Sequence, residues 1–211
     1  VMDSADDRII VLDDAPAGAL LVAVDLDTGD REVLVDLEAG STLTIETARG
    51  LALNSTGAFA YVGDADRNAV IRISLSTGDR ALLSGPTTGT GQQFDGIRDL
   101  AFEAGPNRLL LLDDTGGALY GVGLAGGDRT VIADAGGAIG ALLVDAAVVE
   151  IGATEGTVYV AGGTEVWEVE TDTGSGDRLS GRTIGGGPLQ DRVAGMALDT
   201  SRDRLVVVSR D

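Results

Sequence analysis

Two stretches of this 211-residue chain decide its fold: "RGLALNSTGAFAYVGDADRNAVIRISLSTGDRALLSG" (Arg49–Gly85) and "RDLAFEAGPNRLLLLDDTGGALYGVGLAGGDRTVIAD" (Arg98–Asp134). The second stretch repeats the pattern of the first after an interval of 49 residues. The triplet Gly-Asp-Arg recurs at that same interval, beginning at Gly29, Gly78, Gly127 and Gly176. A fixed period of this kind indicates a repeated structural unit.

Each unit contains four short apolar runs that are separated by turn residues. In the first stretch they are run a (Gly50–Leu53), run b (Phe59–Gly63), run c (Val70–Leu75) and run d (Arg80–Ser84). Alternation of apolar and polar residues predicts strands, and the stretch Gly140–Gly152 is predicted as strand as well. Four strands per unit, at a period of ~40–50 residues, are typical of β-propeller blades. We therefore predict an all-β fold of four-stranded propeller blades, with solenoids and β-sandwiches as weaker alternatives.

The two ends of the chain resemble each other. "MDSADDRIIVLD" (Met2–Asp13) matches "LDTSRDRLVVVS" (Leu198–Ser209), so both occupy the same position in the repeat. We predict about four and a third blades, cut mid-blade at both ends, as a partial propeller or an arc of a larger ring. The expected blade units are approximately 1–36, 49–85, 98–134, 146–181 and 193–211. More chain or additional subunits would complete the ring, or the overlapping ends would pair in an open or swapped assembly.

Composition excludes several classes of function. The formal net charge is −19, and such a surface repels nucleic-acid phosphates and anionic membranes. The chain contains no Cys and no His, which excludes disulfides, Cys-ligated metals, His-ligated zinc and Ser-His-Asp catalysis. No apolar run is long enough for membrane insertion. An acidic surface without Lys suits an extracellular or salty setting, although a GC-rich genome is an alternative cause.

The Gly-Asp-Arg triplets fall at the turns between runs c and d. Glycine supplies the positive φ that a tight hairpin requires. The adjoining Asp and Arg side chains can cap backbone amides or pair with a neighbouring blade. We therefore interpret the triplets as structural turn residues rather than as a reactive pair.

Acidic residues recur at the b–c turns, on the opposite face of the propeller. They are Asp13, Asp14, Asp64, Asp66, Asp113 and Asp114. Oxygen-rich clusters are what Ca²⁺ and Mg²⁺ prefer, so we take these six as candidate ligands of calcium. The alternative is that each carboxylate accepts hydrogen bonds from the amides of its own turn.

The start of run a is expected at the mouth of the central channel. Arg49, Arg98 and Asp99 lie there, and guanidinium groups can bind an anionic ligand bidentately. Pairing of the arginines with adjacent b–c acids is the alternative. The long d–a connections Ser84–Gly96 and Ser180–Arg192 are the expected ligand loops.

The segments "GLAL", "LLLLDD" and "IRISLSTGDRALLSG" resemble the NHL/SMP-30-like and YVTN-type propeller repeats of bacterial secreted proteins. The resemblance implies a secreted, cell-surface or periplasmic binding or scaffolding module, with calcium as a candidate stabiliser. Its ligand would be a protein, a small molecule or a carbohydrate. One alternative is a metal-dependent hydrolase or lactonase of the SMP-30 kind, in which the resemblance implies Glu, Asn and Asp ligands for a divalent cation, although Glu46, Glu103 and Glu150 do not recur at one channel position. Another is a structural subunit of a larger assembly. We identify no catalytic residue and no cofactor other than Ca²⁺.

Overall fold

A computed structural model describes residues 1–15, 18–41, 43–186 and 192–210, without the side chains of Asp14 and Ala15. These residues form strands and a single turn of helix, α1 (Gly140–Leu143). In chain order the strands are β1 Met2–Asp3, β2 Arg8–Ala15, β3 Gly18–Asp25, β4 Arg31–Asp36, β5 Ala48–Leu53, β6 Phe59–Asp64, β7 Ala69–Ser74, β8 Arg80–Ser84, β9 Ile97–Glu103, β10 Arg108–Asp113, β11 Ala118–Gly123, β12 Arg129–Asp134, β13 Ala146–Ile151, β14 Thr157–Gly162, β15 Glu165–Glu170, β16 Gly176–Ser180, β17 Arg192–Asp199 and β18 Arg204–Arg210.

Within each sheet, strands that are consecutive in sequence pair in antiparallel register. The result is four four-stranded sheets, which we number 1 to 4 (β1–β4, β5–β8, β9–β12 and β13–β16). In the described part of the chain, sheet 5 consists of β17 and β18. The first strand of each sheet is innermost and the last is outermost. The prediction of an all-β fold built from four-stranded units is confirmed.

The sheets stack face to face along the chain. The forward face of sheet 1, which includes Ile10 and Leu21, packs with the rear face of sheet 2, which includes Val62 and Ile71. The same relation joins sheet 2 to sheet 3, sheet 3 to sheet 4 and sheet 4 to sheet 5. Burial of aliphatic side chains between the faces supplies the main stabilising contribution. Because aromatic residues are few, these layers consist chiefly of Val, Leu, Ile and Ala.

The c–d hairpins show why the triplet recurs. Gly29, Gly78 and Gly127 have φ of 76°, 74° and 73°, so each occupies the left-handed position of its turn. In the fourth hairpin this position belongs to Gly174 (φ 67°), whose N–H donates to the Glu170 carbonyl. The fourth triplet therefore lies inside β16, and the expectation that it also marks the turn is wrong. Two residues gained in the turn displace it while preserving the interval in sequence.

The connection into sheet 4 also differs from the expected strand. The stretch Gly140–Gly152 begins with α1, and only its second part forms β13. Ile139, Leu142 and Leu143 are buried against sheets 3 and 4. One apolar helical turn fills the space between the sheets there, and four residues are too few to show a helical period in the sequence.

Candidate functional site

The innermost strands surround a channel. Its cavity has a volume of about 1110 Å³ and is lined by β1, β5, β9, β13 and β17. The charged residues in the described wall are Asp3, Arg49, Arg98, Asp99, Glu150 and Arg210. The predicted channel-mouth residues Arg49, Arg98 and Asp99 are thus brought together in one cavity.

Irregular pairing of the four longer inner strands sets the direction of the side chains at the mouth. The a–b register skips one residue in each: Gly50, Arg98, Ala147 and Ala194. Such β-bulges occur at the rims of barrels and beside binding sites, where they re-aim side chains. Gly50 has φ of 61°, and a Cβ there would lie 2.6 Å from the Leu100 nitrogen. Only glycine allows β5 and β9 to approach this closely.

Asp99 connects two inner strands through its carboxylate. Oδ2 accepts a hydrogen bond of 2.9 Å from the Val149 N–H, which joins β9 to β13. Burial raises the pKa of Asp99 to about 7, although the amides of Val149 and Leu100 oppose that shift. The side chain is half-buried in the channel wall. Its charge state therefore changes near neutral pH.

Glu150 lies on β13 in the same channel wall. Burial raises the pKa of its carboxyl group, while the N–H of Leu198 on β17 donates a hydrogen bond to it and opposes the shift. The negative charge of Glu150 in turn raises the pKa of Asp99. Sequence reasoning missed Glu150 as a wall residue because no acid recurs at its position in the other units.

The two arginines at the mouth differ in their surroundings. Arg49 is half-buried and donates a hydrogen bond of 2.8 Å from Nη1 to the Ala48 carbonyl. Arg98 is exposed, beside the Asp99 carboxyl group. The guanidinium of Arg98 is therefore accessible to a ligand at the channel mouth.

Asp64 has a structural role at its b–c turn. It is fully buried, and its carboxylate accepts hydrogen bonds of 3.3 Å from the N–H groups of Arg67 and Glu46. The Arg67 guanidinium lies 3.1 Å from the same carboxylate. Asp64 thereby closes its own turn and holds the connection that enters sheet 2.

Asp113 repeats this arrangement one sheet later. Its buried carboxylate accepts a hydrogen bond of 2.6 Å from the Gly116 N–H and one of 2.7 Å from the Asp95 N–H. Buried carboxylates satisfied by amides are typical of turn and connection anchors.

The other candidate calcium ligands are more accessible. Asp13 and Asp66 are exposed, Asp114 is half-buried, and the Asp14 side chain lies outside the described residues. Asp66 accepts a hydrogen bond of 2.6 Å from the Thr47 hydroxyl. Among the residues that the structure describes, no group of three or more Asp or Glu side chains is arranged to hold a metal ion.

The d–a connection Ser84–Gly96 is held by the third Gly-Asp-Arg triplet. The Arg129 guanidinium is buried and donates to the carbonyls of Gln92, Gly85 and Thr88 at 2.8, 3.2 and 3.0 Å. The neighbouring Asp128 accepts hydrogen bonds from the N–H and hydroxyl of Thr90, which lower its pKa. This connection is therefore anchored along its length. Of the other expected ligand loop, residues 187–191 lie outside the described part.

Arg80 holds the preceding connection in the same manner. Its guanidinium donates to the carbonyls of Leu37, Ala39 and Leu43 at 2.7, 2.6 and 3.1 Å, and to that of Asp36. Arg80 and Arg129 therefore bind the connection from the neighbouring blade, which is one of the roles proposed from the sequence.

Comparison with known proteins identifies the architecture. The structure of a nidogen/laminin complex contains a chain that superposes with a TM-score of 0.74 at 12% identity, covering 96% of this chain and 70% of that one. The chain is a β-propeller. A protein of unknown function from Bacteroides thetaiotaomicron gives a TM-score of 0.70 at 13% identity, covering 93% of this chain and 52% of that one.

A third similar structure is the extracellular domain of a hybrid two-component system from B. thetaiotaomicron, with a TM-score of 0.60 and 12% identity. The match covers 98% of this chain and 24% of that one, so the propeller spans only part of the longer proteins. No family model matches the sequence, and neither does any curated protein. At these identities the likeness shows the fold alone. In the described residues, no helix is long and apolar enough to cross a membrane.

Proposed function

We propose that this propeller is a binding or scaffolding module for protein ligands, and that the ligand docks at the channel mouth. The observation that carries the proposal is the meeting of exposed Arg98 with Arg49 and Asp99 in one wide cavity. A protein segment with a carboxylate would pair with Arg98, while its amides would meet Asp99 and Glu150. The likeness to propeller chains in a protein complex and in an extracellular domain supports this proposal.

Selection from a displayed peptide library tests the proposal directly. We expect selected peptides to lose at least about tenfold in affinity for Arg98→Glu, because a charge-assisted hydrogen bond becomes a repulsion. The matched control is Arg202→Glu, which makes the same charge change on the a–b hairpin of sheet 5, away from the mouth. Failure to enrich peptides above an equally acidic unrelated protein, or equal losses in both variants, would contradict the proposal.

We also propose that the module works outside the cytoplasm of a bacterium, at the cell surface, in the periplasm or as a secreted protein. The acidic, Lys-free composition and the extracellular neighbour support this location. Calcium at the accessible b–c acids is a further part of the proposal. Titration with calcium should then release or absorb heat and raise the melting temperature, and Asp66→Asn with Asp114→Asn should reduce the rise. Neither heat nor thermal shift in millimolar calcium would remove calcium from the proposal.

A hydrolase or lactonase is the second candidate function. The raised pKa of Asp99, with Glu150 in the same wall, favours it, since a carboxyl group that titrates near neutral pH can act in acid–base catalysis. Two other glutamates are already engaged by protein groups, which argues against their use as metal ligands. Glu103 binds Arg108 and Thr171, and Glu46 binds Arg67. Binding is the function that the geometry of the channel mouth supports best. Turnover of a lactone that Asp99→Asn abolishes, with or without added Ca²⁺, would favour the hydrolase instead.

A further inference from the structure

The charged residues of the channel mouth lie together on one side of it. In sheets 2 to 5, the fifth residue of the second strand pairs with Arg49, Asp99, Val148 and Gly195, respectively. Arg98 precedes Asp99 on β9 and is the extra residue of its bulge. Sheets 2 and 3 thus contribute two arginines and an acid at a level where sheets 4 and 5 contribute Val148 and Gly195.

A carboxylate that binds to Arg98 also meets the negative charges of this wall. Arg98 and Asp99 are consecutive and line the same cavity, and Glu150 lines it from β13. Like charges at one site disfavour each other, so an ionised Asp99 would repel the carboxylate of a ligand. A protonated Asp99 has no charge and gains an O–H group that donates a hydrogen bond. The wall therefore accepts a carboxylate best when Asp99 is neutral.

We propose that Arg98 and Asp99 together form one carboxylate-binding site, in which Arg98 binds as a cation and Asp99 donates a hydrogen bond as a neutral acid. The inference rests on the proposed function, because it assigns the chemistry of the group that docks at the channel mouth. The Val149 N–H already engages Oδ2 of Asp99, so Oδ1 is the oxygen that carries the proton. Ligand binding then takes up a proton from the solvent, and the affinity falls as the pH rises.

The pH at which this site changes depends on the groups around Asp99. Burial raises the pKa of Asp99 to about 7, and the negative charge of Glu150 adds to this rise. The amides of Val149 and Leu100 and the positive charge of Arg98 oppose it. The other charged groups that line the described cavity or lie near Asp99 are Arg49 on β5, Asp3 on β1, Arg210 on β18 and the Val1 amino group. In the free protein, Asp99 is therefore about half protonated at about pH 7.

The affinity for a peptide with a single acid tests the site. The probe is a peptide from the displayed library that has blocked termini, contains one Glu and no His, and binds less well to Arg98→Glu than to wild type. Its matched control carries Gln in place of that Glu. The protein contains no His and no Cys, so the side chains that usually titrate near neutral pH are absent from both partners. We expect the Kd of the Glu peptide to rise about tenfold from about pH 6 to about pH 8 as Asp99 ionises, and that of the Gln peptide to change less than about twofold.

Two variants identify the group that holds the proton. Asp99→Asn should bind the Glu peptide with an affinity that does not depend on pH, because the amide donates a hydrogen bond but does not ionise. At about pH 8 it should bind more tightly than wild type. Glu150→Gln should keep the pH dependence but shift it to lower pH, because the charge of Glu150 raises the pKa of Asp99 beyond the effect of burial. A pH dependence that persists in Asp99→Asn would contradict the site.

Calorimetry on the wild type measures the proton directly and requires no variant. Heats of binding in two buffers with different heats of ionisation give the number of protons taken up. We expect about half a proton per Glu peptide at about pH 7, since about half of the free protein already carries it. Wild-type affinity that is constant with pH, or the absence of proton uptake, would overturn the carboxylate site, while the loss of affinity in Arg98→Glu would still support docking at the mouth. If no selected peptide depends on Arg98, the proposed function itself fails, and this site fails with it.

Discussion

At the scale of single residues, one side chain in a repeated motif has different roles in different units. Arg80 and Arg129 lie two residues after the turn glycine and hold the carbonyls of the connection that enters their own sheet. Arg31 is exposed, because no such connection lies against sheet 1 in the described chain. Arg178 is displaced into β16 and pairs with Glu165 at 2.5 Å. The neighbouring sheet, rather than the motif, decides the contribution of the arginine.

Arg129→Ala should therefore destabilise the protein far more than Arg31→Ala does. Removal of the buried guanidinium leaves several carbonyls without donors, and we expect a loss of about 2–4 kcal/mol in the free energy of unfolding. For the exposed Arg31 we expect a change within about 0.5 kcal/mol. Urea unfolding of both variants at low protein concentration measures the difference. Equal losses would mean that the contacts of Arg129 contribute little.

Sequence reasoning recovers the strands but not all the connections. Runs such as Leu109–Leu112 are buried on both faces, and their short length between turn residues identifies them as strands. The helical turn α1 is not predictable, because it depends on the space left where Gly176 takes the place of an arginine. A Cβ at Gly176 would lie 3.2 Å from Ile139 Cγ2, so this side chain fills that space.

The candidate site divides in the same way. Placement of Arg49, Arg98 and Asp99 at the channel follows from their position at the start of run a. Hydrogen bonding of Asp64 and Asp113 to the amides of their own turns is one of the two hypotheses for these acids, and no local pattern distinguishes it from calcium binding. The inclusion of Glu150 requires the distance between inner strands, which sequence periodicity does not contain. The sequence of one repeat does not predict properties that depend on the contact between two sheets.

At the scale of elements, Asp99 links β9 to β13, and its titration should affect stability. Its pKa is about 7 in the folded protein against an ordinary value of 3.8, so the folded state holds the proton more tightly. The stabilisation is complete below about pH 4 and is lost as the pH rises to about 7. Asp99→Asn should therefore gain in melting temperature relative to wild type across this window.

Glu150→Gln is the control, because Glu150 lies near Asp99 and also has a raised pKa. Its titration makes stability fall with rising pH in the same direction, so its contribution has to be measured separately from that of Asp99. The positive charge of Arg98 acts in the opposite direction and is unchanged in both variants. If the melting temperatures of wild type and Asp99→Asn differ by a constant amount from about pH 4 to 7, the pKa of the Asp99 carboxyl group is not raised in the folded protein.

At the scale of the whole molecule, the order of the sheets gives a graded stability. Sheets 2, 3 and 4 are covered on both faces, whereas sheets 1 and 5 each have one open face. In proteins built from stacked units, stability is approximately a sum of terms from each unit and its neighbours. Sheets 2, 3 and 4 should therefore be the most stable part of the described chain.

Hydrogen exchange should report this gradient in stability. At low protein concentration the amides of β10 and β11 should exchange slowest and those of β18 fastest, because β10 and β11 lie in a sheet covered on both faces. Exchange that is equally fast in β10 and β18 would contradict the graded stability.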